Sequence, residues 1–559
     1  MYHHKQRVLH ASIMAGLSFS LVTGTVLAPQ QALADTGTIT IRQHHNQGAT
    51  YDAFLLFTAH ISSEDKATNI QWASEDMQRA LLTFIDENGY REWLAREHPG
   101  EDAHDNAQVA AEFVGESIGG SPADVGAATT PRTTAALSFS QNLARALASD
   151  TSLEHETVAA QTSFSGEQGL WLFVTTDSTT DAANESGTAP LWIPLGGSTS
   201  EIDEKSSVPT VDKEVREDST GSWGKVADAN TTQDLGYRLT GTLPANFGAY
   251  DSYHYRFTDT LEPGLSITIP EGKNLADALT VRVGDQEVEV DGQKLSATFE
   301  DNVLVVDFDN LKDQAWGEFA IGKDTRITVE YTAHMTDRRA IGGTGNLNSV
   351  YLTYTDDPVS QGDGHTNEVP VRVFAYRLSL SKVDKQTGEP ISGAGFTIRV
   401  SDKNSDEESR GLYVQADGSL ASSAHEFVTS GDGTFEVRGL DEGTYIISET
   451  TAPKGYLRLN EGITIAVNSE LNGQTISLAK LSSNISDADG EGPDTARIAE
   501  VNTVDGDAGS VTIQVTNERL IPMPLTGQTG LRGPVGLGTG LVVLAAVGLA
   551  ARRSSRHRS

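Results

Sequence analysis

Short runs of alternating apolar and polar residues recur along most of the chain. In a first region, residues 35–207, Thr38-Ile39-Thr40-Ile41 and Tyr51 to Phe57 show the period of two that predicts strands. The period then changes. Met77, Leu81, Leu82, Phe84 and Ile85 recur at helical spacing, which predicts a helix over Ser74 to Glu97. Ser74 suits its N-cap, and His98-Pro99-Gly100 stops it. Weaker helical patterns lie at Gln108–Glu116 and Ser140–Ala148, and strands return at Leu170–Val174 and Leu191–Ile193. The polar stretch Ser198 to Ser207, just before Pro209, reads as a linker.

Beyond residue 208 the helical period disappears. Residues 208–370 carry β-rich runs at Tyr237–Thr240, Tyr253–Thr258, Leu279–Val283, Val303–Phe308, Arg326–Ala333 and Val350–Tyr354, with turn signals at Glu262-Pro263-Gly264 and Gly284-Asp285. Residues 371–520 repeat the design with Leu378–Val383, Gly395–Val400, Thr434–Val437, Thr444–Ser448, Gly462–Val467 and Ser510–Val515. The predicted fold is mainly β. Tandem immunoglobulin-like β-sandwich domains follow an N-terminal strand-rich domain that carries helical insertions.

The two ends follow other rules. Lys5 and Arg7 precede an apolar run, Ala11 to Leu27, which closes on Ala32-Leu33-Ala34 before Asp35. Residues 1–34 therefore read as a signal peptide. Residues 521–559 hold Met523-Pro524-Leu525-Thr526-Gly527, then an apolar stretch from Gly533 to Ala551, then Arg552, Arg553, Arg556 and Arg558. Such a stretch is just long enough to cross a bilayer, with the arginines holding its end in the cytoplasm. This order resembles the LPXTG-type sorting signal, with Met523 in the place of the usual Leu. The resemblance implies that a sortase cuts between Thr526 and Gly527 and joins Thr526 to an amine on peptidoglycan or on another protein. It implies a secreted chain, covalently anchored to a Gram-positive cell wall.

Composition narrows the picture. The formal charge of −36 repels phosphates, and no basic patch with interleaved aromatics is visible, which argues against nucleic-acid binding. Acidity suits a soluble extracellular surface. The chain has no cysteine, so an exported protein of this length must be toughened without disulfides.

The third region supplies candidate chemistry. Tyr445-Ile446-Ile447-Ser448-Glu449-Thr450-Thr451-Ala452-Pro453-Lys454-Gly455-Tyr456 closely resembles the E-box of collagen-adhesin B-type domains. Leu380-Ser381-Lys382-Val383-Asp384 lies upstream, and Val511-Thr512-Ile513-Gln514-Val515-Thr516-Asn517 downstream. The resemblance implies an intramolecular isopeptide bond with Lys382 as nucleophile, Asn517 as electrophile and Glu449 as promoting acid. The physical chemistry agrees. Burial lowers a lysine pKa towards the neutral, nucleophilic amine and raises that of a carboxyl, which then relays protons as ammonia leaves.

The second region has a parallel set. Pro209 to Val215, Tyr255 to Leu265 and Gly345 to Tyr354 resemble the isopeptide-forming middle domain of Gram-positive backbone pilins, which implies roles for Lys213, Asp259 and Asn348. Asn346 is a rival electrophile. Asn348 is preferred because it leads directly into the Val350, Leu352, Tyr354 alternation. Glu262 is the alternative acid, in a wetter turn. In both pairs the lysine precedes the asparagine by 135 residues, which fits two sandwiches joined from first strand to last.

The order of the three regions also resembles the backbone subunits of sortase-assembled pili, with Thr50-Tyr51-Asp52-Ala53-Phe54 in the N-terminal domain. In that family a lysine near the end of the first domain, often within Tyr-Pro-Lys-Asn, attacks the Thr of the next subunit. That tetrapeptide is absent. Trp192 to Gly197 stands in its place, and Lys205 is the nearest lysine. The expected partners are sortase, peptidoglycan, copies of the chain and other pilins. The alternative is a non-polymerising wall-anchored adhesin or accessory pilin that binds a host glycan or matrix protein. A third reading is a surface hydrolase with its site in the first region. No cofactor or metal is expected: His44-His45 has no third ligand in view, and Asp487-Ala488-Asp489-Gly490-Glu491 lacks EF-hand spacing.

Overall fold

The computed structural model describes residues 36–42, 48–62, 67–100, 102–119, 131–176, 182–198, 200–204, 206–231, 233–312, 316, 321–336, 344–475, 477–487, 499–506 and 509–520. The expected signal peptide, Lys205 and the whole sorting signal lie outside the described residues.

The first region is built around a five-stranded sheet of Ala67–Trp72, Thr50–Ile61, Gly169–Thr175, Leu191–Leu195 and Glu156–Ala159. One face packs on a three-stranded sheet of Ser163–Glu167, Thr36–Arg42 and Glu201–Asp203, enclosing Ile39, Ile41, Tyr51, Phe164 and Phe173. The other face is covered by helices, with Phe54, Leu56 and Leu172 against Leu81, Phe113 and Leu143. Gly169–Thr175 is buried along its whole length because both faces are covered.

Two expectations need correction here. The single helix over Ser74–Glu97 is two, Glu75–Glu87 and Tyr90–Glu97. Ser74 does cap the first, its hydroxyl accepting from the Met77 N–H at 3.0 Å. The break falls at Gly89, whose φ of 92° is left-handed and ends an α-helix. The stretch Ser198–Ser207 is also more than a linker. Glu201–Asp203 pairs in parallel with Thr36–Arg42, Ile202 is buried, and Glu204 accepts a 2.6 Å bond from the Tyr51 hydroxyl.

The second and third regions are sandwiches, as expected. In the second, one seven-stranded sheet contains Val211–Arg216, Leu235–Thr242 and Arg326–Met335. The facing seven-stranded sheet contains Val369–Phe374, Asn346–Thr355, Tyr255–Leu261 and Val303–Phe308. A single core of aromatic and branched residues fills the space between them. In the third, a four-stranded sheet centred on Tyr376–Asp384 and Ser510–Asn517 faces a seven-stranded sheet that includes Gly395–Val400, Gly443–Thr451 and Ile463–Asn472. Among the strands absent from the sequence-based expectation, Ser477–Asp487 forms one edge of the seven-stranded sheet and Ala499–Asp505 one edge of the four-stranded sheet.

The two sandwiches meet through polar contacts. The Thr231 N–H donates to the Gly439 carbonyl at 2.9 Å. Buried Asp228 accepts from the Tyr376 hydroxyl at 2.6 Å and from Ser469 Oγ at 2.8 Å.

Two candidate crosslink sites

Strand alternation explains how charged groups come to lie inside each sandwich. In Tyr376–Asp384 the inward positions are Leu378, Leu380 and then Lys382; in Gly443–Thr451 they are Tyr445, Ile447 and Glu449; in Ser510–Asn517 they are Ile513, Val515 and Asn517. Each polar residue occupies the next slot of an apolar series, so folding the sheets forces it into the core.

In the third sandwich these residues converge. Lys382 Nζ donates to Asn517 Oδ1 at 2.6 Å, and Asn517 Nδ2 donates to Glu449 Oε1 at 2.9 Å. Lys382 Nζ stands 3.8 Å from Glu449 Oε1. The second Glu449 oxygen accepts the Leu459 N–H at 2.6 Å, which fixes the carboxyl. Lys382 and Asn517 lie on adjacent parallel strands of one sheet, with Asn517 opposite Asp384, while Glu449 comes from the facing sheet. Burial drags the Lys382 amine down to about 8 against the opposing pull of Glu449. The shift favours the neutral, nucleophilic amine.

The second sandwich assembles its set differently. Lys213 follows the inward register of Val215, Asp259 that of Tyr255 and Phe257, and Asn348 that of Val350 and Leu352. Lys213 Nζ donates to Asp259 Oδ1 at 2.5 Å. Burial lowers this amine too, again to about 8, with the Asp259 charge opposing. Asn348 is reached through a residue the sequence reading missed. Tyr331 Oη donates to Asp259 Oδ2 at 2.6 Å, accepts from Asn348 Nδ2 at 2.8 Å and lies 3.2 Å from Lys213 Nζ. Asn348 Oδ1 is buried with no hydrogen-bond partner among the described residues.

The rival residues lie elsewhere. The Asn346 side-chain nitrogen donates to the Val373 carbonyl at 3.2 Å and to Met335 Sδ at 3.3 Å. Glu262 is half-buried and accepts the Leu347 N–H at 3.0 Å.

The expectation of a common first-to-last topology fails for the second sandwich. Lys213 belongs to one sheet, and Asp259 and Asn348 to the other, so a bond here spans the sandwich. Nor is the Asn348 strand the last. The chain turns after Thr355 and adds Asp363–His365 and Val369–Phe374, the latter antiparallel to Asn346–Val350. The equal 135-residue separation thus reflects no shared strand order.

The first region contains two lysines beyond the signal peptide, Lys66 and Lys205, and both lie outside the described residues. Among the described residues no three His, Asp or Glu side chains form a cluster able to hold a metal ion.

A model of the SpaA prealbumin-like fold domain matches residues 376–481. No curated protein matches the chain. Among solved structures, the T6 backbone pilin of serotype M6 Streptococcus pyogenes, described as a modular three-domain structure, superposes with a TM-score of 0.50 at 14% identity, over 88% of this chain and 100% of that one. The full-length major pilin SpaD of Corynebacterium diphtheriae gives 0.44 at 14% identity, over 87% and 97%. BcpA, the major pilin subunit of Bacillus cereus, gives 0.38 at 12%, over 87% and 100%. The first of these shares the fold of the present chain.

Proposed function

We propose that the chain is a structural subunit of a sortase-assembled Gram-positive pilus, toughened by self-made Lys213–Asn348 and Lys382–Asn517 isopeptide bonds. The observation that carries this reading is the third-sandwich site: an amine lowered by burial, 2.6 Å from an asparagine whose leaving nitrogen already bonds a carboxyl. The neutral Lys382 amine attacks Asn517 Cγ. The Nζ–Cγ bond forms, Glu449 passes the displaced proton to Nδ2, the Cγ–Nδ2 bond breaks and ammonia leaves. The folded sandwich supplies the proximity. Asp259 promotes the same exchange at Lys213 and Asn348.

On this reading residues 35–207, 208–370 and 371–520 are the three domains of an exported subunit, the third of collagen-adhesin B type. Sortase cuts at Thr526, within Met523-Pro524-Leu525-Thr526-Gly527, and Lys205 receives the Thr526 of the next copy; the last Thr526 goes to peptidoglycan. The protein then works at the cell surface in adhesion, as a shaft and not as an enzyme with turnover. The full pattern of acidic, cysteine-free sandwiches in series favours a shaft over a solitary adhesin for a host glycan or matrix protein. Wall extracts boiled in detergent test the choice. A ladder of covalent multimers, lost in Lys205→Ala, is expected; a single wall-linked species would overturn the polymer and leave the adhesin.

A further inference from the structure

The two sites solve one geometric problem in two ways. In the third domain the longer acid, Glu449, touches the leaving nitrogen of Asn517 directly at 2.9 Å. In the second the shorter acid, Asp259, has no direct bond to Asn348; the Tyr331 hydroxyl bonds both, at 2.6 Å and 2.8 Å. We propose that Tyr331 is a catalytic proton relay between Asp259 and the departing nitrogen of Asn348. This rests on the reading that Lys213 and Asn348 become joined.

The Lys213 ammonium first gives one proton to Asp259 and becomes an amine. The amine attacks Asn348 Cγ and forms the Nζ–Cγ bond. In the resting site Asn348 Nδ2 donates to Tyr331, because an amide nitrogen has no free lone pair. In the tetrahedral intermediate that nitrogen becomes an ordinary amine and accepts. The Asp259 carboxyl, protonated on the oxygen that faced Lys213, turns to present that proton to Tyr331, which takes it as it gives its own to Nδ2. The Cγ–Nδ2 bond breaks, ammonia leaves, and Asp259 collects the last proton shed by Nζ. Two protons leave the lysine: one departs in ammonia and one stays on Asp259.

The surroundings suit a relay. Tyr331 is inward-facing on Arg326–Met335, and its ring stacks on Tyr237 with centroids 5.2 Å apart and planes at 9°, which holds the hydroxyl in one place. Burial and the Asp259 charge keep the phenol well above its ordinary pKa, so it retains a proton to give.

The test is cell-free synthesis of the mature chain, followed by timed digestion and mass measurement of the crosslinked peptides from each domain. With Tyr331→Phe the Lys213–Asn348 peptide is expected to appear roughly 100-fold more slowly, the scale of losing one general acid–base group. The Lys382–Asn517 peptide in the same molecules should keep its wild-type rate, which serves as the folding control for the neighbouring domain. Replacing Tyr331 by fluorinated tyrosines of graded acidity preserves ring and packing. The second-domain rate should follow phenol acidity, which a merely structural hydroxyl would not produce. Equal rates for wild type and Tyr331→Phe, or rates blind to fluorination, overturn the relay while leaving the bond itself intact. A wild-type chain that never yields the Lys213–Asn348 peptide overturns the bond and the relay together.

Discussion

Pulling on the molecule from its ends should distinguish the two sandwiches, because the proposed Lys–Asn bonds would sit differently in the path of force. In the third domain tension enters at Tyr376, crosses from Lys382 to Asn517 and leaves the sheet. Everything between those residues is shielded. In the second domain tension enters at Val211 and crosses from Lys213 to Asn348, but must then run through residues 349–375. That segment, about 27 residues, is held only by hydrogen bonds and packing. Fully extended it spans at most roughly 90–100 Å. Single-molecule force spectroscopy on the mature chain should therefore show one short extension from the second domain and almost none from the third. Lys213→Ala and Lys382→Ala should each add the hidden loop of 135 residues, roughly 450–490 Å. A wild-type trace in which either domain unravels to full length would refute the crosslink in that domain. The absence of the short step, with both bonds present, would refute the load path through residues 349–375.

Three further outcomes follow from the same geometry. Glu449→Gln keeps the packing but removes the proton acceptor, so the third-domain bond should be lost and the domain weakened by roughly 5 kcal/mol on the loop-entropy scale, read as a lower melting transition; an unchanged melt would count against the role of Glu449. The joint between the sandwiches should respond to pH. Burial, with neighbouring carboxylates adding to it, raises Asp228 from 3.8 to about 7 and Glu217 from 4.5 to about 8, with Glu442, Asp218 and Asp441 close by. Since the docked state holds these protons more tightly, docking is strongest below about pH 4 and weakens as pH rises to about 8. Small-angle scattering at pH 5 and pH 8 should show a looser joint at the higher value, with the difference reduced in Asp228→Asn; a pH-independent profile would contradict this. Gly439 has a φ of 79°, and a Cβ there would lie 1.8 Å from Thr231 Oγ1. Gly439→Ala should cost about 1–3 kcal/mol at the joint and speed hydrogen exchange at the Thr231 amide, and unchanged protection would show that the joint tolerates the clash.

Much of this arrangement was legible in the chain. A charged or amide side chain that occupies the next inward slot of an apolar series, as at Lys382, Glu449 and Asp259, is visible from the period of two alone. What the period cannot state is which sheet a strand joins. The cross-sheet placement of Lys213 and Asn348 was therefore hidden, and the equal spacing of the two pairs suggested a common topology that the strands do not share. Tyr331 was hidden for a different reason. An inward tyrosine in a strand reads as core, and only its distances to Asp259 and Asn348 give it a task. The strand Glu201–Asp203 escaped notice because just one of its residues, Ile202, is buried. The helix break at Gly89 went unseen because the apolar spacing on either side suits one continuous helix.

Intact mass of the mature chain, purified under denaturing conditions, tests the central claim most directly. The chain should be lighter than its sequence by two ammonia molecules, by one in either Lys213→Ala or Lys382→Ala, and by none in the double variant. A wild-type chain at full sequence mass would contradict it.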